Sequence, residues 1–184
     1  MQMLALSNQV ANIYGKFGYK ISATSNSTSI FKLTLTASPD YITLAILQYR
    51  PTATVTFDTG PSGAVGTNAN PPISGNITPT TSTDILVVGA TGFTNFSSVT
   101  NSQIGDASAT AAFAFPTASD PVFWTGMWYT TYVSSPGAVH AQAVLGKITG
   151  QQWVCDVMSF IITGGGSTST IPIYKKFYDY RRVP

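Results

Sequence analysis

Trp153-Val154-Cys155-Asp156-Val157-Met158-Ser159-Phe160-Ile161-Ile162 is the stretch whose reading decides the fold. It is almost continuously apolar and rich in β-branched and aromatic side chains. Gly164-Gly165-Gly166-Ser167 follows at once, a run that neither a strand nor a helix tolerates. An alternating strand buries one face, whereas a continuously apolar one buries both. The stretch is therefore expected to be the central strand that closes a β-sandwich core. Trp153, Cys155 and Val157 are expected to face the same layer.

The segments before it repeat the signal in weaker form. Residues 1–12 are ambiguous and compatible with a short arm. Tyr14 to Ile21 alternates aromatic with small or basic residues, the pattern of a half-exposed edge strand that Lys16 and Lys20 protect from stray pairing. Ile30 to Thr36 alternates cleanly, and Tyr41 to Tyr49 is apolar on both faces, which predicts a central position. Thr52 to Asp58 reads as a further strand. Gly60 to Thr83 is rich in Gly, Pro, Asn, Ser and Thr and is expected to cross the end of the sandwich, with one short strand at Ile73–Ile77.

Asp84 to Ala90 predicts a second buried strand, Gly92 to Ala109 a loop, and Ala111 to Pro116 a short apolar piece. Pro121 to Val133 is the most aromatic part of the chain. A Pro136-Gly137 turn leads to a strand over Val139 to Leu145. No segment sustains a 3.6-residue apolar period. The expected class is all-β: an antiparallel β-sandwich, jelly-roll-like, spanning residues 1–162, with an extended, Gly-hinged C-terminal arm over 163–184.

Composition narrows the function classes. Only 9% of the 184 residues are charged, far below the usual quarter. Glu is absent, and no Lys or Arg stands between Arg50 and Lys147. A surface built from Ser, Thr, Asn, Gln and Gly has little charge repulsion to keep copies apart. Virion proteins, filament subunits and secreted β-modules have such surfaces more often than intracellular enzymes do. The net charge of +2 implies no strongly charged partner. A single cysteine permits no intrachain disulfide. The N-terminus lacks the basic and apolar regions of a signal peptide. No apolar run reaches the ~18 residues of a membrane-spanning helix.

Three features carry a resemblance: the alternating strands ending in Leu44-Ala45-Ile46-Leu47-Gln48-Tyr49, the polar crossing before Thr83-Asp84-Ile85-Leu86-Val87-Val88-Gly89, and the closing pair Ala141–Leu145 and Gln152 to Ile161. Over about residues 14–162 the order of strands resembles β-sandwich modules, jelly-roll or Ig-like, of phage structural proteins and bacterial surface proteins. The resemblance implies a structural or adhesive role and no catalytic residues. Such modules usually have a further strand pair before the one at Tyr14. They do not continue past the closing strand as Thr163–Pro184 does, so strand exchange between copies is expected.

Catalytic readings are weak at each residue. His140, the only histidine, is expected to point away from Val139, Ala141 and Ala143, with no nucleophile marked beside it. Cys155 reads as a buried, inert thiol. Asp106 and Asp120 lack the acidic cluster of a calcium loop. A glycosidase pair would need two of the seven Asp brought together. The glycine run lacks the Lys-Ser/Thr and following helix of a phosphate loop. Asn26, Asn76 and Asn95 stand in acceptor patterns for N-glycosylation. No cofactor is expected.

Two clusters carry binding readings. Trp124, Trp128, Tyr129 and Tyr132 stand on both faces of one strand, and serve as core, subunit interface or carbohydrate-stacking platform. The tail contributes Ile171, Ile173, Tyr174, Lys175, Lys176, Phe177, Tyr178, Tyr180, Arg181 and Arg182. Its four basic residues make too weak a field for nucleic acid, so a docking arm that adds a strand to a neighbour is favoured. The sequence is thus read as a non-enzymatic assembly subunit of a virion (capsid, decoration or tail) or an extracellular surface. It would self-associate and contact other structural subunits. The alternative is a glycan-binding or adhesive module.

Overall fold

The computed structural model describes residues 6–10, 13–19, 21, 41–48, 54–67, 72–80, 84–93, 99–105, 107–108, 110–111, 124–134, 136–145, 152–164 and 174–181. Among the described residues every regular element is a strand and every ladder is antiparallel. The strands are β1 (Leu6–Val10), β2 (Ile13–Phe17), β3 (Tyr41–Gln48), β4 (Thr54–Thr67), β5 (Ile85–Phe93), β6 (Val99–Ile104), β7 (Ala107–Ser108), β8 (Thr110–Ala111), β9 (Trp124–Tyr132), β10 (Ala141–Leu145), β11 (Gln152–Thr163) and β12 (Tyr174–Arg181).

β11 is the opening stretch, one residue longer at each end. It lies between β4 and β5 in a five-stranded sheet of order β4-β11-β5-β9-β8. Trp153 through Phe160 are all buried. Two apolar clusters explain why. Trp153, Cys155 and Val157 join Ile85, Val87 and Trp128 on one face, against Ile104, Val139, Ala141 and Ala143 of a second sheet, β10-β6-β7, and its approach. Met158, Phe160 and Ile162 join Leu86, Val88 and Met127 on the other face, covered by Phe17 and Tyr19. Each Val, Ile, Leu, Met or Phe side chain buried this way contributes about 1.5–3 kcal/mol.

β4 corrects the sequence reading. Residues 60–67 were expected to be loop, yet the strand continues from Thr54 to Thr67. β11 supplies the reason, because it offers a ladder along the whole length, Thr163↔Thr54 to Gln152↔Thr67. The glycines accommodate its side chains. A Cβ on Gly66 would coincide with the indole of Trp153. Two register shifts, beside Val157/Ser159 and Ser159/Phe160, place extra residues in β4, and such bulges re-aim side chains.

Other parts of the sequence reading are refined. Residues 92–109 were read as loop but include the end of β5, β6 and β7. The polar letters Thr100, Asn101, Ser102 and Gln103 hide β6, whose strand state is decided by its partner β10. The consecutive strands β10 and β11 do not ladder with each other. They lie in different sheets, and the Cys155 thiol donates across the layers to the Ala141 carbonyl at 3.6 Å. β3, expected to be central, ladders with β12 among the described residues. β1 hairpins with β2, so a strand does precede the one at Tyr14. The strand expected at Ile30 to Thr36 lies outside the described residues.

The 72–80 crossing is half a strand. Isolated bridges join Ile73 to Gln142 and Ile77 to Val139, with reciprocal Ile77–Val139 backbone bonds of 2.9 and 2.8 Å. Pro72 and Pro79 have no N–H for a ladder. The Ser74 hydroxyl accepts from the Ala141 amide at 2.8 Å in place of a backbone group.

Gly89 makes the tightest fit between the two sheets. A Cβ there would stand 2.6 Å from the Ala141 Cβ and 2.7 Å from the Trp128 ring. Gly89→Ala is expected to cost about 1–3 kcal/mol through overpacking, read as a lower urea midpoint with an unchanged slope. An unshifted midpoint would contradict this packing.

Candidate functional site

Strand β9 carries the aromatic cluster, and its pleat divides the rings between the two layers. Trp128 is 0% exposed. It pairs across the ladder with Gly89, whose missing side chain leaves room for the indole. Its Nε1–H donates to the Gln103 carbonyl of β6 at 2.9 Å. Tyr132 packs on the same cluster, and its hydroxyl donates to the Ile104 carbonyl at 3.1 Å. Both rings therefore bolt the five-stranded sheet to the three-stranded one. Met127 and Tyr129 face the opposite cluster.

This settles the position of Trp128. It fills the core, and a ring buried there presents no face to a sugar or a neighbouring subunit. Tyr129 and Tyr132 are half-buried. Trp124 occupies the first position of β9, opposite Phe93 in register. The arrangement of large rings on both faces was legible from the period of two. Which rings were core was not, since both faces of this sheet are covered.

A second aromatic group was not legible. Tyr19 stacks on Phe57, with centroids 4.9 Å apart and planes 6° from parallel. It meets Phe160 edge-on at 5.2 Å, and Phe57 meets Phe160 at 6.0 Å and 78°. Desolvation raises the Tyr19 hydroxyl above its ordinary pKa. The three rings come from distant parts of the chain, and no local spacing relates them.

The polar node at Asp58 was also missed. Asp58 is skipped in the β4–β11 register, which passes from Phe57↔Phe160 to Thr59↔Ser159. Its carboxylate accepts the Ser159 hydroxyl at 2.8 Å and the Thr80 amide at 3.2 and 3.3 Å, and the Thr80 hydroxyl besides. The node fastens the end of the 72–80 crossing to the central sheet.

The remaining candidates fall as follows. His140 is half-buried between the buried Val139 and Ala141, and its carbonyl accepts from Gly105 N at 2.8 Å. Cys155 is wholly buried, and desolvation first, then the charge of Asp156, push its thiol far above its ordinary value. Among the described residues no three His, Cys, Asp or Glu side chains come together as metal ligands, and no helix is long and apolar enough to cross a membrane. Asn76 is exposed. Asn26, Asn95, Asp106 and Asp120 lie outside the described residues.

The tail forms β12, which lies antiparallel on β3 from Tyr174↔Gln48 to Arg181↔Tyr41. Lys175, Lys176, Phe177, Tyr178 and Tyr180 are placed on that ladder. Ile171, Ile173 and Arg182 lie outside the described residues, as does the glycine run beyond Gly164. Comparison with protein-family models, with curated proteins and with solved structures finds no match to this chain.

Asp58→Ala leaves the Ser159 hydroxyl and the Thr80 amide without their acceptor. It is expected to cost about 1–3 kcal/mol and to speed proteolytic cleavage within 72–80; unchanged stability and cleavage would dismiss the node. The Cys155 thiol keeps its proton in the folded chain where the unfolded chain would lose it. Its contribution is therefore intact below the ordinary value of 9.0 and is lost as pH rises above it, by up to ~1.4 kcal/mol per pH unit. Cys155→Ser should flatten that alkaline decline in urea melts at stepped pH.

Proposed function

We propose that the chain is a non-enzymatic structural assembly protein, a virion subunit of capsid, decoration or tail type, whose strands form a jelly-roll-like β-sandwich. It acts at a virion or extracellular surface. It self-associates through a neutral polar exterior and docks through its C-terminal segment.

The observation that carries this reading is the charge pattern. From residue 51 to residue 146 the chain holds no Lys or Arg and only four Asp, so little charge repels a second copy over more than half its length. Proteins that must stay monomeric and soluble carry interspersed charges of both signs. One that assembles with copies of itself gains by omitting them. Trp128, Tyr129 and Tyr132 of β9 pack on the layers of their own fold. Hydrogen bonds and backbone pairing then supply the adhesion, and salt has little to screen.

The C-terminal strand supports the second half of the reading. It extends the chain beyond the central strand by way of a Gly/Ser/Thr-rich link, and holds Lys175, Lys176 and Arg181, three of the nine basic residues. A strand delivered from outside a sheet is a common mode of docking.

Purified full-length protein is expected to form particles or filaments in negative-stain micrographs, with a size distribution that is the same at low and high salt. A monodisperse monomer in light scattering at micromolar concentration would sink the proposal. Deleting residues 164–184 should abolish assembly; its β-sheet circular dichroism should persist.

A further inference from the structure

We propose that β12 is an exchangeable strand: in the assembly it forms, on β3 of a second copy, the same eight-residue ladder that it forms on its own β3. The proposal rests on the assembly reading above and deepens it by naming the acceptor.

Topology comes first. β12 and β3 make a two-stranded sheet of their own, separate from the five-stranded and three-stranded sheets. Among the described residues the only ladder of β12 is with β3. Moving β12 to another copy therefore breaks one ladder and rebuilds the identical one. Exchange of an identical element is a low-cost route to association for this reason. β3 in turn lies beside β9, so the acceptor strand is seated on the body of its own protomer.

Reach comes next. β11 ends at Thr163 and β12 begins at Tyr174. The ten residues between them are Gly164-Gly165-Gly166-Ser167-Thr168-Ser169-Thr170-Ile171-Pro172-Ile173. Fully extended, ten residues span about 33–36 Å, enough to pass from one small domain to the surface of the next. Gly164 leaves β11 at φ +89° with open space where a Cβ would stand. That conformation favours glycine.

Specificity is written in the register. β3 has no charged residue, whereas β12 has Lys175, Lys176, Asp179 and Arg181. The ladder places Lys176, Tyr178 and Tyr180 opposite Ile46, Leu44 and Ile42 on one face. It places Lys175, Phe177, Asp179 and Arg181 opposite Leu47, Ala45, Thr43 and Tyr41 on the other. A slip of one residue would change every pairing of this ladder. A two-stranded sheet is marginal by itself, so it gains most when the two strands also tie packed bodies together. Because the closed and exchanged forms share one ladder, concentration decides between them.

The test uses engineered disulfides in the full chain. Thr43 and Asp179 are Cα partners, as are Gln48 and Tyr174. The two pairs stand five residues apart, so one is hydrogen-bonded and the other is not, and both geometries fall within disulfide reach. Native Cys155 is buried and stays out of the reaction. One protein carries Thr43→Cys alone and a second carries Asp179→Cys alone; they are mixed, allowed to assemble and mildly oxidised. The expected result is a reducible band at twice the chain mass from the mixture, and higher multiples from the Thr43→Cys/Asp179→Cys double variant.

Several outcomes overturn the proposal. If the double variant links only within single chains and the mixture stays unlinked, β12 closes on its own β3. Should particles still form in that case, the assembly reading survives and exchange alone fails. Linkage within chains in a protein that never assembles removes both. No linkage of either kind at Thr43/Asp179 and at Gln48/Tyr174 means that β12 is not on β3 at all, and exchange falls with it.

Discussion

Satisfying one strand on all four sides is the constraint on which this structure depends. β11 ladders with β4 on one edge and β5 on the other, and its two faces enter two separate apolar clusters. A backbone in that position has no water to bond, so every N–H and C=O must find a protein partner. The demand propagates outward. It draws β4 out to fourteen residues through a glycine-rich and proline-containing stretch. It also requires covering layers above and below.

Small residues make the layers fit. Gly66 leaves space for Trp153 and Gly89 for Trp128. With that space, the Trp128 indole reaches the Gln103 carbonyl and the Tyr132 hydroxyl reaches that of Ile104. Two aromatic side chains on one strand thereby fasten two sheets through both packing and hydrogen bonds. Buried indole and phenol groups need such partners. The Thr91 hydroxyl does the same within the sheet, donating to the Val154 carbonyl at 2.7 Å. Trp128, Tyr132 and Thr91 thus each have an assigned acceptor, so these contacts are specific in direction as well as in shape.

The exterior follows the opposite logic. The segment from 72 to 80 alternates buried Pro72, Ser74, Ile77 and Pro79 with exposed Ile73, Asn76, Thr78 and Thr80, and it carries no charge. Its attachments are backbone bonds to β10 and the Asp58 carboxylate. A surface held by neutral polar groups and free of positive charge over residues 51–146 suits close repetition of one subunit. The proposed exchange of β12 adds direction to that tendency, since a strand in register fixes which part of one copy meets which part of the next.

The amino-acid sequence by itself determined the all-β class, the central and doubly buried place of Trp153–Ile162, and the shared layer of Trp153, Cys155 and Val157. These follow from period-two patterning and local turn chemistry, both of which act between near neighbours. Tertiary structure decided the rest. Residues 60–67 and 99–104 have weak strand propensity and become strands because β11 and β10 offer partners. Trp128 became core because Gly89 and Ala141, distant in sequence, made room for it. The Tyr19–Phe57–Phe160 group and the Asp58–Ser159–Thr80 node join positions that no local spacing relates. Strand pairing across long separations is a contest among acceptors, and only the folded arrangement names the winner.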